Sequence, residues 1–366
     1  MAMQIRYLEK GEVDLGQQYI KQLWSPSHIL AKDSTLFEWQ YQSPAENDSR
    51  LGFIIAEDAG EPVGCVGRMP VRCHVHGHPV AGAAIALLVT NPSYRHNAAG
   101  LELLKQAYQE LDIIITQGIN AHVAKLYRML GQFVTPAMPR YVCRGNMEAL
   151  HAMWMAGNPH QPFPEESYIS IPEAHPIRTS NNWQLEELTE NNLEEWDRCW
   201  QQQFAPARQG SVKDARALRW RYLEHPTFHY EIFLVKNSQG EINGMTALRR
   251  ISLPGEVQAL RIMEFLCTDD AAGQALAAGI MKRMSANTAF IEFVCLGRDW
   301  LPLQRSLGLS ATGNDLFSVC FNPPDFTRCK IMASFASKIK TLSPKDLVLS
   351  PETYITIADG DQDRPN

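Results

Sequence analysis

Asn91-Pro-Ser-Tyr-Arg-His-Asn-Ala-Ala-Gly-Leu-Glu-Leu-Leu104 is the stretch of sequence that decides the fold. It follows a run of small apolar residues, 81–89, which predicts a buried strand, and it leads into an amphipathic helix over 100–111. The first amides of a helix have no partners within the helix, and with the helix dipole they favour phosphate. The stretch therefore predicts a strand, a phosphate-type loop and a helix.

The residues of this loop suit an anionic ligand. Arg95 adds a fixed cation at the mouth of the loop. Ala98, Ala99 and Gly100 are small enough to let a ligand approach the backbone. An ordinary strand-to-helix turn is the alternative, because small residues often precede helices.

The second half of the chain repeats landmarks of the first half in the same order. A duplicated unit is the simplest explanation of matches that stay in register. The matched pairs are Trp39-Gln-Tyr41 with Trp220-Arg-Tyr222, Gly60-Glu61-x-x-Gly64 with Gly240-Glu241-x-x-Gly244, Arg68 with Arg249, and Leu130-Gly131 with Leu307-Gly308.

The predicted fold class is α/β (α+β mixed sheet), with two tandem domains, each a mixed, mostly antiparallel sheet flanked by helices. We predict a first domain over 1–145, a proline-rich linker over 146–182, a second domain over 183–322 and a C-terminal extension over 323–366. Within the extension we expect a basic, helix-like piece at 329–340, a strand at 346–349, and a mobile or docking acidic tail from 359.

Net charge, cysteine spacing and the lengths of apolar runs argue against several classes of protein. The chain of 366 residues has a net charge of −6 and no long basic run, which argues against nucleic acid as a partner. The eight cysteines form no CxxC pair and predict buried thiols in a reducing compartment. The N-terminus is charged too early for a signal peptide, and the run 81–89 is too short to span a bilayer. We therefore expect a cytoplasmic protein without a membrane span.

Two motifs carry a resemblance to a known family. The Tyr94-Arg95-x-x-Ala-x-Gly100 loop and the Asn120-x-x-x-x-x-Leu-Tyr127-x-x-x-Gly131 run, in this order of strands and helices, resemble the GCN5-related N-acetyltransferase (GNAT) family. The resemblance covers about 4–145 with both motifs. It covers about 183–322 by strand order and repeat only.

The resemblance implies two tandem acyl-CoA N-acyltransferase-like domains and acetyl-CoA or another acyl-CoA as co-substrate. It implies that the loop binds the pyrophosphate, that the preceding strand offers backbone groups to the pantetheine arm and acyl carbonyl, that Asn120 contacts the cofactor arm, and that Tyr127 protonates the departing thiolate. His96 and Ala98 stand where family members often have glycine. The cofactor-binding residues implied are Leu88, Val89, Thr90, Arg95, His96, Asn97, Ala98, Ala99, Gly100, Leu101 and Asn120.

The second unit lacks the residues that the resemblance assigns to acyl-CoA binding. At the position of the loop it reads Cys267-Thr-Asp-Asp270, whose carboxylates would repel a pyrophosphate. We infer that it does not bind acyl-CoA in this way. Glu264 and Glu292 interrupt apolar strands, so either is a candidate to bind or deprotonate an acceptor amine. A salt-bridged or outward-facing glutamate is the alternative for both.

The sequence thus predicts an acyl-CoA-dependent N-acyltransferase, most simply an N-acetyltransferase, acting on an amino group of a small molecule or sugar. The acidic tail resembles tails of transferases encoded near bacterial surface-polysaccharide genes, which implies a role in surface-polysaccharide synthesis. The alternatives are a catalytically inactive tandem scaffold and a peptide-bond-forming transferase that uses aminoacyl-tRNA, which the net charge disfavours. His74, His76 and His78 alternate around a hairpin tip, but a surface hairpin is favoured and no metal is expected.

Overall fold

The computed structural model describes residues 3–42, 49–174, 177, 182–311 and 331–363. Its strands form two large mixed sheets. The strands from the first half of the chain are β1 (Gln4–Glu9), β2 (Arg50–Asp58), β3 (Glu61–Met69), β4 (Cys73–Val75), β5 (His78–Val80), β6 (Gly82–Thr90), β7 (Ile113–Gln117), β8 (Phe133–Thr135) and β9 (Arg140–Arg144). The later strands are β10 (Gln184–Glu187), β11 (Gln209–Ser211), β12 (Glu231–Lys236), β13 (Ile242–Leu253), β14 (Val257–Cys267), β15 (Thr288–Leu296), β16 (Ser310–Ala311), β17 (Ala333–Ser337) and β18 (Thr353–Thr356).

Helices cover both sheets. The α-helices are α1 (Val13–Leu23), α2 (Ser34–Tyr41), α3 (Ala99–Ala107), α4 (Ala121–Met129), α5 (Met147–Gly157), α6 (Glu165–Ile169), α7 (Leu193–Cys199), α8 (Ala215–Leu218), α9 (Asp270–Met281), α10 (Leu301–Leu307) and α11 (Pro344–Leu349). Short 3₁₀ helices span Lys10–Glu12, Ile29–Ala31, Pro92–Asn97, Glu190–Asn192, Ala205–Ala207 and Ile357–Asp359, and π-helical turns span Trp200–Phe204 and Arg219–Leu223.

The first sheet has the order β1-β2-β3-β6-β7-β17-β8, and only its β6–β7 pair is parallel among the pairs that the structure describes. Side chains alternate between its faces, as strand geometry requires. One face packs on α3 and α4 through residues such as Ile85, Leu103 and Tyr127, and the other packs on α1 and α2 through residues such as Phe37 and Phe53.

The second sheet follows the order β10-β12-β13-β14-β15-β18-β11-β4-β5, and β9 and β16 pair beside β15. Its only parallel pairs among the described strands are β14–β15 and β11–β18. The predicted fold class is confirmed in its architecture, because both halves build mixed, largely antiparallel sheets with helices packed on them.

The two halves exchange a strand. β9 comes from the first half but pairs with β15, from Phe290↔Arg144 to Val294↔Arg140. β17 comes from the C-terminal part but pairs with β7 and β8 in the first sheet. The two strands hold equivalent positions, because each lies between the sheet's parallel strand and the short strand that follows the repeated Leu-Gly pair. Each sheet is therefore completed by the other half.

This exchange of strands crosses the predicted domain boundaries. The predicted division at residue 145 separates β9 from the sheet that it joins, and the extension 323–366 supplies a strand to the first sheet. Residues 333–337 of the piece predicted as helix-like form strand β17, whose Ala333 and Phe335 point to the same face of the sheet and pack in one core cluster. The piece predicted as a strand at 346–349 belongs to α11, which starts with Pro344 at its first position and the Ser343 cap.

The predicted linker is also a packed segment. α5 and α6 bury Leu150, Trp154 and Tyr168 against the second sheet in a cluster that includes Phe290. The apolar side chains on one face of α5 explain this packing, because removing apolar surface from water stabilises the packed segment.

The repeated Trp motifs meet at the junction of the halves. The rings of Trp39 and Trp220 stack with centroids 4.9 Å apart. Trp39 Nε1 donates to the Trp220 carbonyl oxygen (3.0 Å), and Trp220 Nε1 donates to the Trp39 carbonyl oxygen (3.3 Å). This reciprocal pair satisfies both indole N–H groups across an otherwise apolar contact.

The acidic C-terminal segment is buried, which contradicts the predicted mobile tail. Asp359, Asp361 and Asp363 are at most 9% exposed. Buried carboxylates need partners, and cationic side chains of the second half supply them. We call residues 357–363 the C-terminal strap. No helix within the described ranges is long and apolar enough to cross a membrane.

Candidate functional site

A cleft opens where β6 and β7 separate. The two parallel strands pair from Gly82↔Ile113 to Ile85↔Thr116 and no further among the described residues. Beyond that point β6 stays paired with β3, while β7 ends at Gln117. The resulting cleft has a volume of about 90 Å³, and its walls include Leu87, Leu88, Asn120, Tyr127 and Asp361.

A β-bulge shapes the wall contributed by β6. Its pairing with β3 passes from Gly67↔Ala86 to Cys65↔Val89, so β6 has one extra residue there. Leu87 takes a positive φ of 50°, an unfavourable conformation for a residue with a branched side chain. Such strain collects at functional sites. The bulge interrupts the ladder next to Leu88, which lines the cleft, whereas Val89 and Thr90 pair with β3.

The predicted loop forms the start of α3. Residues Pro92–Asn97 make a 3₁₀ turn, and Ala98 then adopts the left-handed conformation (φ 55°) as the N-cap. No side chain caps this helix, so its first amides are not covered by a cap. A Cβ at Gly100 would lie 3.4 Å from Thr90 Cγ2, so the helix starts directly against the end of β6.

Other predicted residues of the loop lie as follows. Asn97 and Ala98 are exposed, Ala99 is buried, and Leu101 is half-buried and donates its amide to the Ala98 carbonyl oxygen (2.9 Å). The side chains of Arg95 and His96 lie outside the part of the chain that the structure describes. Their predicted roles stay predictions.

Asn120 and Tyr127 both border the cleft. The Asn120 side chain accepts a hydrogen bond from the Val123 amide (2.9 Å) and so caps α4. Tyr127 is 1% exposed, and burial raises the pKa of its hydroxyl well above 10, with the nearby Tyr108 acting in the same direction. The Tyr127 hydroxyl is therefore protonated at neutral pH and can act as a proton donor.

The C-terminal strap closes the cleft from the second half. Asp361 and Gln362 line it, and Gln362 Nε2 donates to Asp361 Oδ1 (2.7 Å). Gly118 has a φ of +74°, and a Cβ there would lie 2.3 Å from the Gln362 side chain. The strap therefore needs a glycine at this position on steric as well as conformational grounds. Gln117 Nε2 donates to the Thr356 carbonyl oxygen (2.9 Å) just before the strap.

Asp363 anchors the strap. Its carboxylate accepts hydrogen bonds from Arg249 Nη1 (2.8 Å), Arg221 Nη2 (3.2 Å) and the Tyr230 hydroxyl (2.5 Å). The positive charges of Arg249 and Arg221 outweigh burial and lower the pKa of Asp363 to about 2. The anchor keeps Asp361 beside Tyr127, so Asp361 is a site residue that the sequence prediction missed.

Glu264 lies in a buried cluster beside a second cavity. It accepts hydrogen bonds from Lys213 Nζ (2.5 Å) and from the hydroxyls of Tyr222 (2.6 Å) and Tyr354 (2.8 Å). Burial raises its pKa. Lys213 Nζ also donates to Asp359 (2.7 Å). The structure therefore brings Glu264 together with the strap, although not with the residues that line the cleft.

Glu292 is a salt-bridged glutamate, which is the alternative given for it in the sequence analysis. It pairs with Arg140 and with Arg261, whose Nε lies 2.6 Å away. The two guanidinium groups overcome burial and lower the pKa of Glu292 to about 2. It borders neither the cleft nor the second cavity. The geometry favours a structural ion pair between β9, β14 and β15 over a role as base.

The corresponding cleft of the second half is filled. β14 and β15 pair in parallel as far as Ile262↔Phe293, and β18 then pairs with the end of β15. The Tyr354 hydroxyl accepts a hydrogen bond from the Phe265 amide (3.0 Å) and thus occupies the space beside β14. Asp269 caps α9 by accepting from the Ala272 amide (2.8 Å). This arrangement leaves no open equivalent of the first cleft in this part of the described structure.

The three histidines of the β4–β5 hairpin differ in burial. His74 is buried, and burial lowers its pKa to about 4, while His76 and His78 lie near the hairpin tip. Within the residues that the structure covers, no group of three or more His, Cys, Asp or Glu side chains could hold a metal ion.

Comparison with known proteins identifies the fold. Residues 18–131 match the model of the acetyltransferase (GNAT) family. A search of curated protein sequences found no match. Similar solved structures include a probable N-acyltransferase of Enterococcus faecalis V583 (13% identity, TM-score 0.57) and a GCN5-related N-acetyltransferase of Anabaena variabilis (13%, 0.57), each over 92% of this chain and 73% of the other. Another is the N-myristoyltransferase of Saccharomyces cerevisiae with bound myristoyl-CoA (11%, 0.55, over 91% and 78%).

These findings confirm the resemblance predicted from the sequence. The family match covers the loop, Tyr127 and the walls of the cleft other than Asp361 and Gln362. At such low identities the structural likeness extends the fold, and the fold alone, to the second half.

Proposed function

We propose that this protein, whose residues 18–131 match the acetyltransferase (GNAT) family, is an acyl-CoA-dependent N-acyltransferase. The observation that carries the proposal is the cleft itself. A strained bulge at Leu87, an uncapped helix start at Ala98 and a buried, protonated Tyr127 belong to one short stretch of structure. Each suits one part of an acyl-CoA molecule: the bulge suits the acyl carbonyl, the helix start suits the pyrophosphate, and Tyr127 suits the sulfur.

The reaction is direct transfer. An acceptor amine attacks the thioester carbonyl, the C–N bond forms and the C–S bond breaks. The amine loses one proton, and the departing thiolate of CoA gains one. Backbone amides at the bulge would stabilise the developing oxyanion, and Tyr127 would protonate the thiolate. The products are an amide and free CoA.

We assign the role of general base to Asp361. It lines the same cleft as Tyr127, and its negative charge contributes to the raised pKa of that hydroxyl. Acyl transfer to an amine uses a base for the amine and an acid for the thiolate, and Asp361 and Tyr127 offer these two groups within one cleft. Asp361 therefore replaces the predicted Glu264 and Glu292 in this role.

The size of the cleft favours a short acyl group. Its volume of about 90 Å³ is far below the roughly 300–1,000 Å³ of pockets that enclose drug-sized ligands. We therefore propose acetyl-CoA as the co-substrate. The acceptor is an amino group on a small molecule, such as an amino sugar.

Calorimetric titration of acetyl-CoA tests the proposal. We expect binding by the wild type and its loss in Gly100→Glu, because a carboxylate at the helix start repels the pyrophosphate. Gly11→Glu is the matched control, since a Cβ at Gly11 would meet no atom within 4 Å.

The outcomes separate the alternatives. No binding by the wild type would refute the proposal. Binding without turnover of any amine would favour the inactive scaffold. Turnover that depends on aminoacyl-tRNA would favour the peptide-bond-forming transferase.

A further inference from the structure

A second cavity of about 410 Å³ lies at the junction of the two halves. Its walls include Pro70–Arg72, which follow β3 in the first half, residues 212–213 and 216–222 of the second half, and Ala358 and Asp359 of the strap. Arg216 and Glu224 are exposed, so the cavity opens to solvent at that side. It is large enough for a small-molecule ligand.

The C-terminal strap connects this cavity with the cleft. Asp359 borders the cavity, and Asp361 and Gln362, two and three residues later, border the cleft. The first half gives a second connection, since Met69 of β3 pairs with Ala84, beside Ile85 of the cleft wall, and Pro70 then enters the cavity wall. Because two residues of chain span at most about 7 Å, the cavity at Asp359 and the cleft at Asp361 lie close together.

Cationic side chains outnumber carboxylates on the wall of the cavity. The net charge of the protein is −6, yet five cationic side chains and three carboxylates line the cavity. The two deepest carboxylates, Glu264 and Asp359, already accept hydrogen bonds from Lys213. The cations are Arg72, Lys213, Arg216, Arg219 and Arg221, and the third carboxylate is Glu224.

Three of these arginines lie toward the open side. Arg72 and Arg219 are held in place by Asp214 and Glu190, neither of which lines the cavity. A guanidinium group has five N–H donors, so one carboxylate partner does not exhaust it. Arg216 is exposed beside them. Fixed guanidinium groups around an opening are well suited to bind a carboxylate or a phosphate.

We propose that the acceptor is an anionic amine, whose carboxylate or phosphate group binds Arg72, Arg216 and Arg219 while its amino group points along the strap to Asp361. This inference rests on the proposed acyltransferase function and specifies the acceptor class. An amino acid and a phosphorylated or nucleotide-linked amino sugar share this chemistry.

Matched pairs of acceptors test the inference. Initial rates with acetyl-CoA are compared for amino acids and their methyl esters, and for amino-sugar phosphates and the free amino sugars. We expect each anionic compound to have a kcat/KM at least about tenfold above that of its neutral partner, the magnitude of one charged hydrogen bond. The pair with the larger ratio of kcat/KM between its anionic and neutral members indicates whether the anion is a carboxylate or a phosphate.

Charge reversal supplies the second arm. Arg216→Glu is expected to raise KM for the anionic acceptor by about tenfold or more, with KM for acetyl-CoA unchanged and with a smaller effect at high salt. The control is Arg305→Glu, which makes the same charge change at an exposed arginine paired with Asp270, outside the cavity. Arg305→Glu is expected to leave both KM values unchanged.

Each outcome decides the question. Neutral amines that react as fast as their anionic partners, or an unchanged acceptor KM in Arg216→Glu, would overturn the inference and leave the acyltransferase function intact. If no compound is acetylated, binding of the same pairs to the CoA-saturated protein is measured by calorimetry, and equal or absent binding overturns it. Failure of acetyl-CoA itself to bind refutes the proposed function instead.

Discussion

Asp363→Asn tests whether the C-terminal strap is held by its anchor. The carboxylate is 3% exposed, and its pKa falls from 3.8 to about 2 because Arg221 and Arg249 face it. A tenfold change in acid dissociation is worth about 1.4 kcal/mol, so the ionised carboxylate gains about 2 kcal/mol from this environment. The amide loses that gain and leaves two arginines without their counter-charge. A cost of up to about 5 kcal/mol is expected if both arginines stay buried.

Urea unfolding followed by tryptophan fluorescence measures the global cost, and hydrogen exchange of the strap amides measures its local release. Local release also moves Asp361 from the cleft, so kcat should fall even if the rest of the fold survives. Asp270→Asn is the control, because its pair with Arg305 is exposed and contributes less than about 1 kcal/mol. A change of less than about 0.5 kcal/mol, with unchanged exchange in the strap, would refute the anchor.

Other expectations concern catalysis, stoichiometry and pH. Tyr127→Phe should lower kcat by about 10²–10⁴-fold with acetyl-CoA affinity retained. The control Tyr19→Phe, which changes a tyrosine that is also buried but absent from the cleft walls, should stay active. Equal kcat values for the two variants would exclude Tyr127 as the acid. Calorimetry should find one acetyl-CoA per chain, because Tyr354 fills the second cleft, and two sites would contradict that assignment. Because the pKa of Asp363 is lowered, its contribution to the stability of the folded strap is complete above about pH 4 and is lost as the pH falls toward 2. Limited proteolysis with an acid-stable protease should therefore cleave the strap between about pH 4 and pH 2. Cleavage already at about pH 5 would show that contacts other than Asp363 hold the strap.

The parts of the site that local sequence signals determine could be predicted. A run of small apolar residues, a loop and an amphipathic helix follow one another between residues 81 and 111, and the structure has β6, the 3₁₀ turn and α3 there. Tyr127 was predicted from the motif that resembles the family, and it lies on the helix that begins at the Asn120 cap. The strain at Leu87 could not be predicted, because nothing in the residue type indicates a positive φ.

The parts that depend on distant partners were missed. Asp361 belongs to a strap whose counter-charges, Lys213, Arg221 and Arg249, are more than 100 residues away in the sequence. A short acidic stretch looks the same whether it is solvated or paired with buried cations. The strand β9 lies within the predicted first domain but joins the second sheet, because pairing and not propensity decides which sheet a strand joins.

The exchange of β9 and β17 has a consequence for the ancestry and the dissection of this chain. If a single unit existed before the duplication, the same pairing would have joined two identical subunits, each lending a strand to the other in a closed homodimer. Fusion of the genes would then have replaced an association equilibrium by a covalent tether with a high effective concentration. A chain severed in the segment 158–164, between α5 and α6, is accordingly expected to yield two fragments that are poorly folded apart and recover the cleft only as a complementing pair.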